Sequence, residues 1–189
     1  MVLAFGLWDA ELPFCEELLA QDARNNSAWS QRAFLAQHAL AAALGDRRDD
    51  RVQALLLREA CFAAAGARDV PHNESAWNYL LGLAHVLRDA AGQGGDAAAV
   101  TAGMRTLHAA VYEAALGVLA TSPDCVPARS ALMQQYVRSA CDARAAGDAT
   151  IAAKADAAAV TLCEGLVVAD PLRAGWYESM RKASIARCA

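Results

Sequence analysis

The chain has 189 residues, with 17 Lys and Arg against 21 Asp and Glu and a formal net charge of −4. That acidic balance argues against a general nucleic-acid binder, and no run of about 20 apolar residues offers a membrane span. Hydrophobic residues make up 56% of the chain but aromatics only 6%; alanine, the strongest helix former, carries much of the rest, so the chain reads as all-helical.

Taken in order, apolar residues recur at helical spacing. Trp8, Leu12, Cys15, Leu18 and Leu19 form a first stripe, and Trp77, Leu80, Leu81, Ala84 and Leu87 a second. Met104, Leu107, Val111, Ala114 and Val118 form a third, and Ile151, Ala155, Ala158, Leu162 and Leu166 a fourth. Breakers separate them: Gly45-Asp46, Gly66, Pro71, Gly92–Gly95, Pro123 and Pro127, Gly147-Asp148 and Asp170-Pro171. The pattern predicts eight helices, at roughly 8–21, 27–44, 51–66, 74–90, 97–120, 127–146, 149–168 and 172–187, with Pro13 pushing the first start later. Short connections make neighbouring helices antiparallel hairpins.

The hairpins also repeat in sequence. Asn25-Asn26-Ser27-Ala28-Trp29 returns further along the chain as Asn73-Glu74-Ser75-Ala76-Trp77. Asn and Ser accept hydrogen bonds from unpaired N–H groups at a helix start, and a Trp one turn inside can pack on the neighbouring hairpin. Asp170 through Trp176 is a weaker echo, and Ser122–Pro127 holds the intervening place without a Trp. Repeats of roughly 20–50 residues build solenoids, in which no unit buries its apolar face alone. The expectation is an all-α, right-handed superhelix of antiparallel helical hairpins, tetratricopeptide-like, forming a single helical-repeat domain over 1–189. A tetratricopeptide-like protein–protein interaction scaffold is the alternative reading; the step from Trp29 to Trp77 argues against it, being longer than the roughly 34-residue unit of that repeat.

These residues resemble the protein prenyltransferase α-subunit repeat, Asn-x-x-x-Trp followed three residues later by Arg; Asn25, Trp29 and Arg32 match it in full. Asn25–Arg32, Val70–Leu80 and Phe5–Leu12 look like the subunit shared by protein farnesyltransferase and type I geranylgeranyltransferase. Strong matches cover 5–35 and 69–85, and Asp170–Trp176 is a fair one. The resemblance implies a crescent of hairpins wrapped around a catalytic β subunit. That heterodimer transfers a farnesyl or geranylgeranyl group from its diphosphate to a cysteine thiol near the C-terminus of CaaX proteins. The β subunit carries the zinc that lowers the thiol pKa, magnesium serves the whole enzyme, and the β subunit sets isoprenoid preference. The family's Lys and Tyr near the diphosphate lie on earlier repeats, which would precede residue 1. No catalytic, cofactor-binding or metal residue is therefore carried over, and the chain alone is expected to transfer no prenyl group.

Other candidates read as structural. Arg32 suits an ion pair within its own repeat better than one to the β subunit. Trp8, Trp29, Trp77 and Trp176, with Asn25 and Asn73 capping two helices, read as repeat packing. His72 sits in turn chemistry, and His38, His85 and His108 lack the i, i+4 pairing of a metal site. Gly92–Gly95 has neither the strand nor the Lys-Ser/Thr of a phosphate loop and reads as a flexible connection. Arg181, Lys182 and Arg187 suit the C-terminal end of a last helix. The six cysteines show no C-x-x-C and are expected as free thiols. With no signal-peptide features in Met1–Trp8, they make a cytoplasmic location the expectation.

Overall fold

In a computed structural model, the backbone of residues 8–92 and 96–186 is described, with the side chains of residues 8, 9, 90, 91 and 183–186 excluded. Among the described residues there are eight α-helices and no strand: α1 (Trp8–Gln21), α2 (Asn26–Gly45), α3 (Asp49–Asp69), α4 (Glu74–Gly92), α5 (Ala97–Thr121), α6 (Val126–Ala145), α7 (Ala149–Ala169) and α8 (Ala174–Ala186). A 3-10 turn, Pro171–Arg173, leads into α8. The chain forms two compact units, residues 1–111 and 112–189. In the first, α2 packs against α1, α3 and α4, and α3 against α4; in the second, α6, α7 and α8 pack together.

The expected boundaries lie close to the observed ones, and two breakers behave differently. The first helix runs through Pro13, which removes one amide donor from its interior. Gly66 does not end α3, which continues to Asp69. A Cβ on Gly66 would meet the Trp29 ring at 3.0 Å, so this glycine serves close helix packing rather than termination. Pro127 sits in the first turn of α6, where its missing N–H costs nothing. The 92–95 connection falls largely on residues outside those described.

Main-chain bonding sets the repeat register. In the first corner the N–H of Asp22 donates to Leu18, that of Asn25 to Asp22 and that of Trp29 to Asn25. The same ladder starts again at Val70, Ser122 and Asp170. The corners are thus nearly evenly spaced, and the Trp29 position returns as Trp77, Arg129 and Tyr177. The hairpin turns repeat as well: Asp46, Arg47 and Arg48 donate to Ala42, Leu44 and Ala43, and Ala146, Gly147 and Asp148 donate to Asp142, Arg144 and Ala143.

The two turns differ at one residue. Gly147 adopts φ +79°, and Arg47, its counterpart, φ +54°. A side chain in the left-handed region costs roughly 1–2 kcal/mol. Arg47→Gly is therefore expected to stabilise the chain by about 0.5–1 kcal/mol, after the entropy that glycine loses on folding. Gly147→Ala should destabilise by a similar amount although no atom lies within 4 Å of its Cβ position. Denaturant midpoints moving in opposite directions check this; parallel shifts would refute it.

The second unit is centred on Met133, Ala159, Cys163, Leu166 and Tyr177. On α7 the buried face is Ala152, Ala155, Ala159, Cys163 and Leu166; of the expected stripe Ala155 and Leu166 are buried, Ala158 and Leu162 are half-buried one residue to the side, and Ile151 is exposed. The α6 face buries Ala128, Ala131, Ala140 and Ala143 alongside Leu132 and Met133. Interaxial distance depends on the side chains at the contact, so the alanine faces meet and the bulkier Ile151 turns outward. Arg144 of α6 pairs with Asp156 of α7.

Candidate functional site

The chemistry-bearing residues of the repeat motif gather in the first unit. At the corner after α1, the Asn25 side-chain oxygen accepts from the Ala28 N–H at 3.1 Å and caps α2. Trp29 is buried, and its indole N–H donates to the Ala23 carbonyl at 2.9 Å. One corner later Asn73 accepts from the Ser75 N–H at 3.2 Å, and the Trp77 indole donates to the Pro71 carbonyl at 2.9 Å. Each Trp reaches back by the same number of positions to its carbonyl. Asn73 does more than cap: its amide nitrogen donates to the same Ala23 carbonyl at 2.7 Å. Ser75 adds a hydroxyl bond to Asn26 at 3.1 Å, so consecutive corners are tied by side chains.

Arg32, three residues past Trp29, is fully buried. Its Nε donates to Glu59 at 2.7 Å and its Nη1 to Glu16 at 2.9 Å. The guanidinium lies 3.5 Å over the Phe62 ring, while Nη2 is buried without an acceptor among the described residues. Glu59 is also buried, and its carboxylate takes a 2.6 Å bond from the Tyr79 hydroxyl and a 2.7 Å pair from Arg58. Burial works against the charged guanidinium, but Glu59 and Glu16 outweigh it and hold the Arg32 pKa above its ordinary value. Burial first, and the Glu59 charge second, push the Tyr79 phenol upward, so it stays a donor. Trp29 stands 5.5 Å from both the Phe62 and Tyr79 rings. The cluster holds α1, α2, α3 and α4 together and exposes no reactive group; its chemistry is structural.

Arg32 thus pairs within its own repeat and the neighbouring helices, as the fork geometry of Arg favours. Sequence reading did not find Glu59, Glu16 or Tyr79 as its partners. One signal was present: Glu59 lies on the apolar face that buries Val52, Leu56, Ala60 and Ala63, where an acid needs a partner. In the next hairpins the equivalents of Arg32 and Glu59 are Leu80 with Leu107 and Leu132 with Ala159, all buried.

Trp176 departs from the expectation of core packing. It is 46% exposed, and the neighbouring Tyr177 is fully buried. Tyr177 holds the Trp29 position, and its hydroxyl donates to Asp170 at 2.9 Å. Arg173 also bonds Asp170, at 2.6 Å. Burial opposes ionisation of Asp170, but the bonds from Tyr177 and Arg173 win and hold its carboxyl below the usual value. The Trp8 side chain lies outside the described residues.

A groove of about 190 Å³ runs between α2 and α4, lined by Asn26, Ser30 and Gln37 on one side and Ser75, Asn78 and Gly82 on the other. No lining residue is charged. Among the described residues, no group of three or more His, Cys, Asp and Glu could hold a metal. His72 is exposed in its turn. Among the described residues, Cys15, Cys61, Cys125, Cys141 and Cys163 form no disulfide. No described helix is long and apolar enough to cross a membrane.

Comparison with known proteins gives this geometry a family context. Residues 8–39 match the protein prenyltransferase alpha subunit repeat, the segment that contains Asn25, Trp29 and Arg32. Over 78 residues, 41% of the chain, it is 41% identical to the protein farnesyltransferase/geranylgeranyltransferase type-1 subunit alpha of Pisum sativum. The subunits of the same description from Arabidopsis thaliana and Dictyostelium discoideum are each 37% identical, over 81 and 76 residues. The matched stretch spans about a fifth of the length of these relatives, 21%, 22% and 21%.

Proposed function

We infer that this chain, a relative of protein prenyltransferase alpha subunits that carries their repeat at residues 8–39, serves as helical scaffold in a CaaX protein prenyltransferase. The reaction is transfer of farnesyl or geranylgeranyl from its diphosphate to a cysteine thiol near the C-terminus of a target protein, in the cytoplasm. The chain's role in it is non-catalytic. A β subunit would supply the zinc that activates the target's cysteine thiolate, and the isoprenoid pocket, and magnesium would serve the assembled enzyme. The carrying observation is that the matched segment coincides with the Asn25–Trp29–Arg32 corner, whose side chains are spent on holding four helices in register.

The steps from the Asp22 corner to those at Val70, Ser122 and Asp170 weigh against the alternative of a tetratricopeptide-like scaffold. Each is longer than the roughly 34-residue unit of that repeat. The test is co-expression with a tagged prenyltransferase β subunit from the same source. The chain is expected to co-purify with it, and alone to give no farnesyl transfer to a fluorescent CaaX peptide. Failure to co-purify, with a full-length α subunit succeeding in parallel, would defeat the reading.

A further inference from the structure

One junction of the array is built differently from the others. The places of Arg32 and Glu59 are taken by Leu80 with Leu107, and by Leu132 with Ala159, in the later hairpins. A buried ion pair adds little to stability, because apolar side chains of similar volume usually replace it at small cost. The network at the first junction therefore needs a reason other than stability.

The face of α3 supplies one. Past Leu56 its buried residues are Glu59 and four alanines, Ala60, Ala63, Ala64 and Ala67. Small, uniform side chains interdigitate little, and a uniformly packed core tolerates several arrangements. A slip of α3 by one helical turn, about 5.4 Å, exchanges one alanine for another at little steric cost. The same slip changes the polar contacts completely. It brings Leu55 or Ala63 to the Glu59 place, or Leu56 or Phe62 for a shift of three residues. None of these has a side-chain acceptor. Arg32 would keep only Glu16, and the Tyr79 hydroxyl would lose its acceptor, with Arg32 and Tyr79 both buried. One apolar feature also marks the register, the Trp29 ring 3.0 Å from the Cβ position of Gly66.

We propose that the Arg32–Glu59–Tyr79 network is a register lock. It selects, among the near-equivalent ways in which the alanine face of α3 can lie against α2 and α4, the one in which every charge is paired. The selection acts through the penalty on each other register, where a buried cation and a buried hydroxyl are stranded. It does not depend on the native arrangement being stronger than an apolar one. Glu16 carries the same control to α1, since its carboxylate takes the second arm of the Arg32 fork at 2.9 Å.

The experiment compares the full chain with the variant Arg32→Leu, Glu59→Leu, Tyr79→Phe by urea denaturation and amide NMR. The variant is expected to keep a urea midpoint near that of the wild type and to lose its single arrangement. A second set of resonances from α3 and the facing turns of α2 and α4 should appear, populated to about 10%, where the wild type gives one set. Gly66→Ala is the counterpart: it crowds Trp29 and leaves all three polar partners in place. It should lower the midpoint and keep one set. A single set in the triple variant overturns the lock and leaves the Trp29–Gly66 fit to fix the register. A triple variant that does not fold, or is as unstable as Glu59→Leu, overturns it as well, because the network would then serve stability. Doubled resonances in Gly66→Ala would assign the register to the apolar fit and have the same consequence.

Discussion

Glu59→Leu is expected to destabilise the first unit by about 3–5 kcal/mol, the cost of removing one partner of a buried ion pair. Arg32 would keep Glu16, whose side chain is 48% exposed, but would lose the buried carboxylate at 2.7 Å. The Tyr79 hydroxyl would lose its acceptor as well, a further penalty of about 1–3 kcal/mol for a buried donor. The comparison that identifies the cause is the triple replacement Arg32→Leu, Glu59→Leu, Tyr79→Phe. The next hairpin already buries Leu80 and Leu107 at the first two of these places, and buried ion pairs are often replaced by apolar side chains at little cost. Urea denaturation should show the triple variant recovering most of what Glu59→Leu loses. If the triple variant is as unstable as the single one, the loss comes from packing volume, and the electrostatic account fails.

This cluster marks where sequence reading stopped. The helices and corners were legible because their signals are local: Asn four residues before Trp, Pro just inside a helix start, alanine throughout. The Arg32 partners come from α1, α3 and α4, and nothing in their own windows names them. Gly66 fits its segment as a breaker for the same reason, and only the Trp29 ring above it reveals its use. By residue type Trp176 reads as the inward aromatic, because tryptophan dominates any such comparison. The main-chain ladder instead places Tyr177 at the repeat position, one residue later. The groove was invisible in sequence because Ser30, Gln37, Asn78 and Gly82 look like ordinary surface positions until α2 and α4 are paired.

That register shift sets the second large expectation, a contrast between adjacent aromatics. Tyr177→Ala should cost about 3–5 kcal/mol, as for other large aromatics truncated in a core. The ring is fully buried against Met133, Cys163 and Leu166, and its hydroxyl holds Asp170. Trp176→Ala should cost less than about 1 kcal/mol, because a half-exposed side chain leaves little cavity and surface substitutions are usually small. Its loss removes an edge contact to Tyr177 at 5.1 Å. In the first unit, Trp77→Ala should behave as Tyr177→Ala does, since Trp77 is buried and its indole bonds Pro71. Chemical denaturation of the three variants separates the cases: a Trp176→Ala loss equal to that of Tyr177→Ala would return Trp176 to the core.

The Ala23 carbonyl has a bearing on how the array comes apart. In a linear stack, the energy at each junction decides whether units open one at a time or in concert. This oxygen takes the Trp29 indole from its own corner and the Asn73 amide from the following one. Displacing the loop that carries it strands a buried donor on each side, so neither corner gains by opening alone. At the Asp170 corner, Tyr177 and Arg173 both donate to Asp170. Within the first unit α2 and α4 are therefore released as one cooperative block.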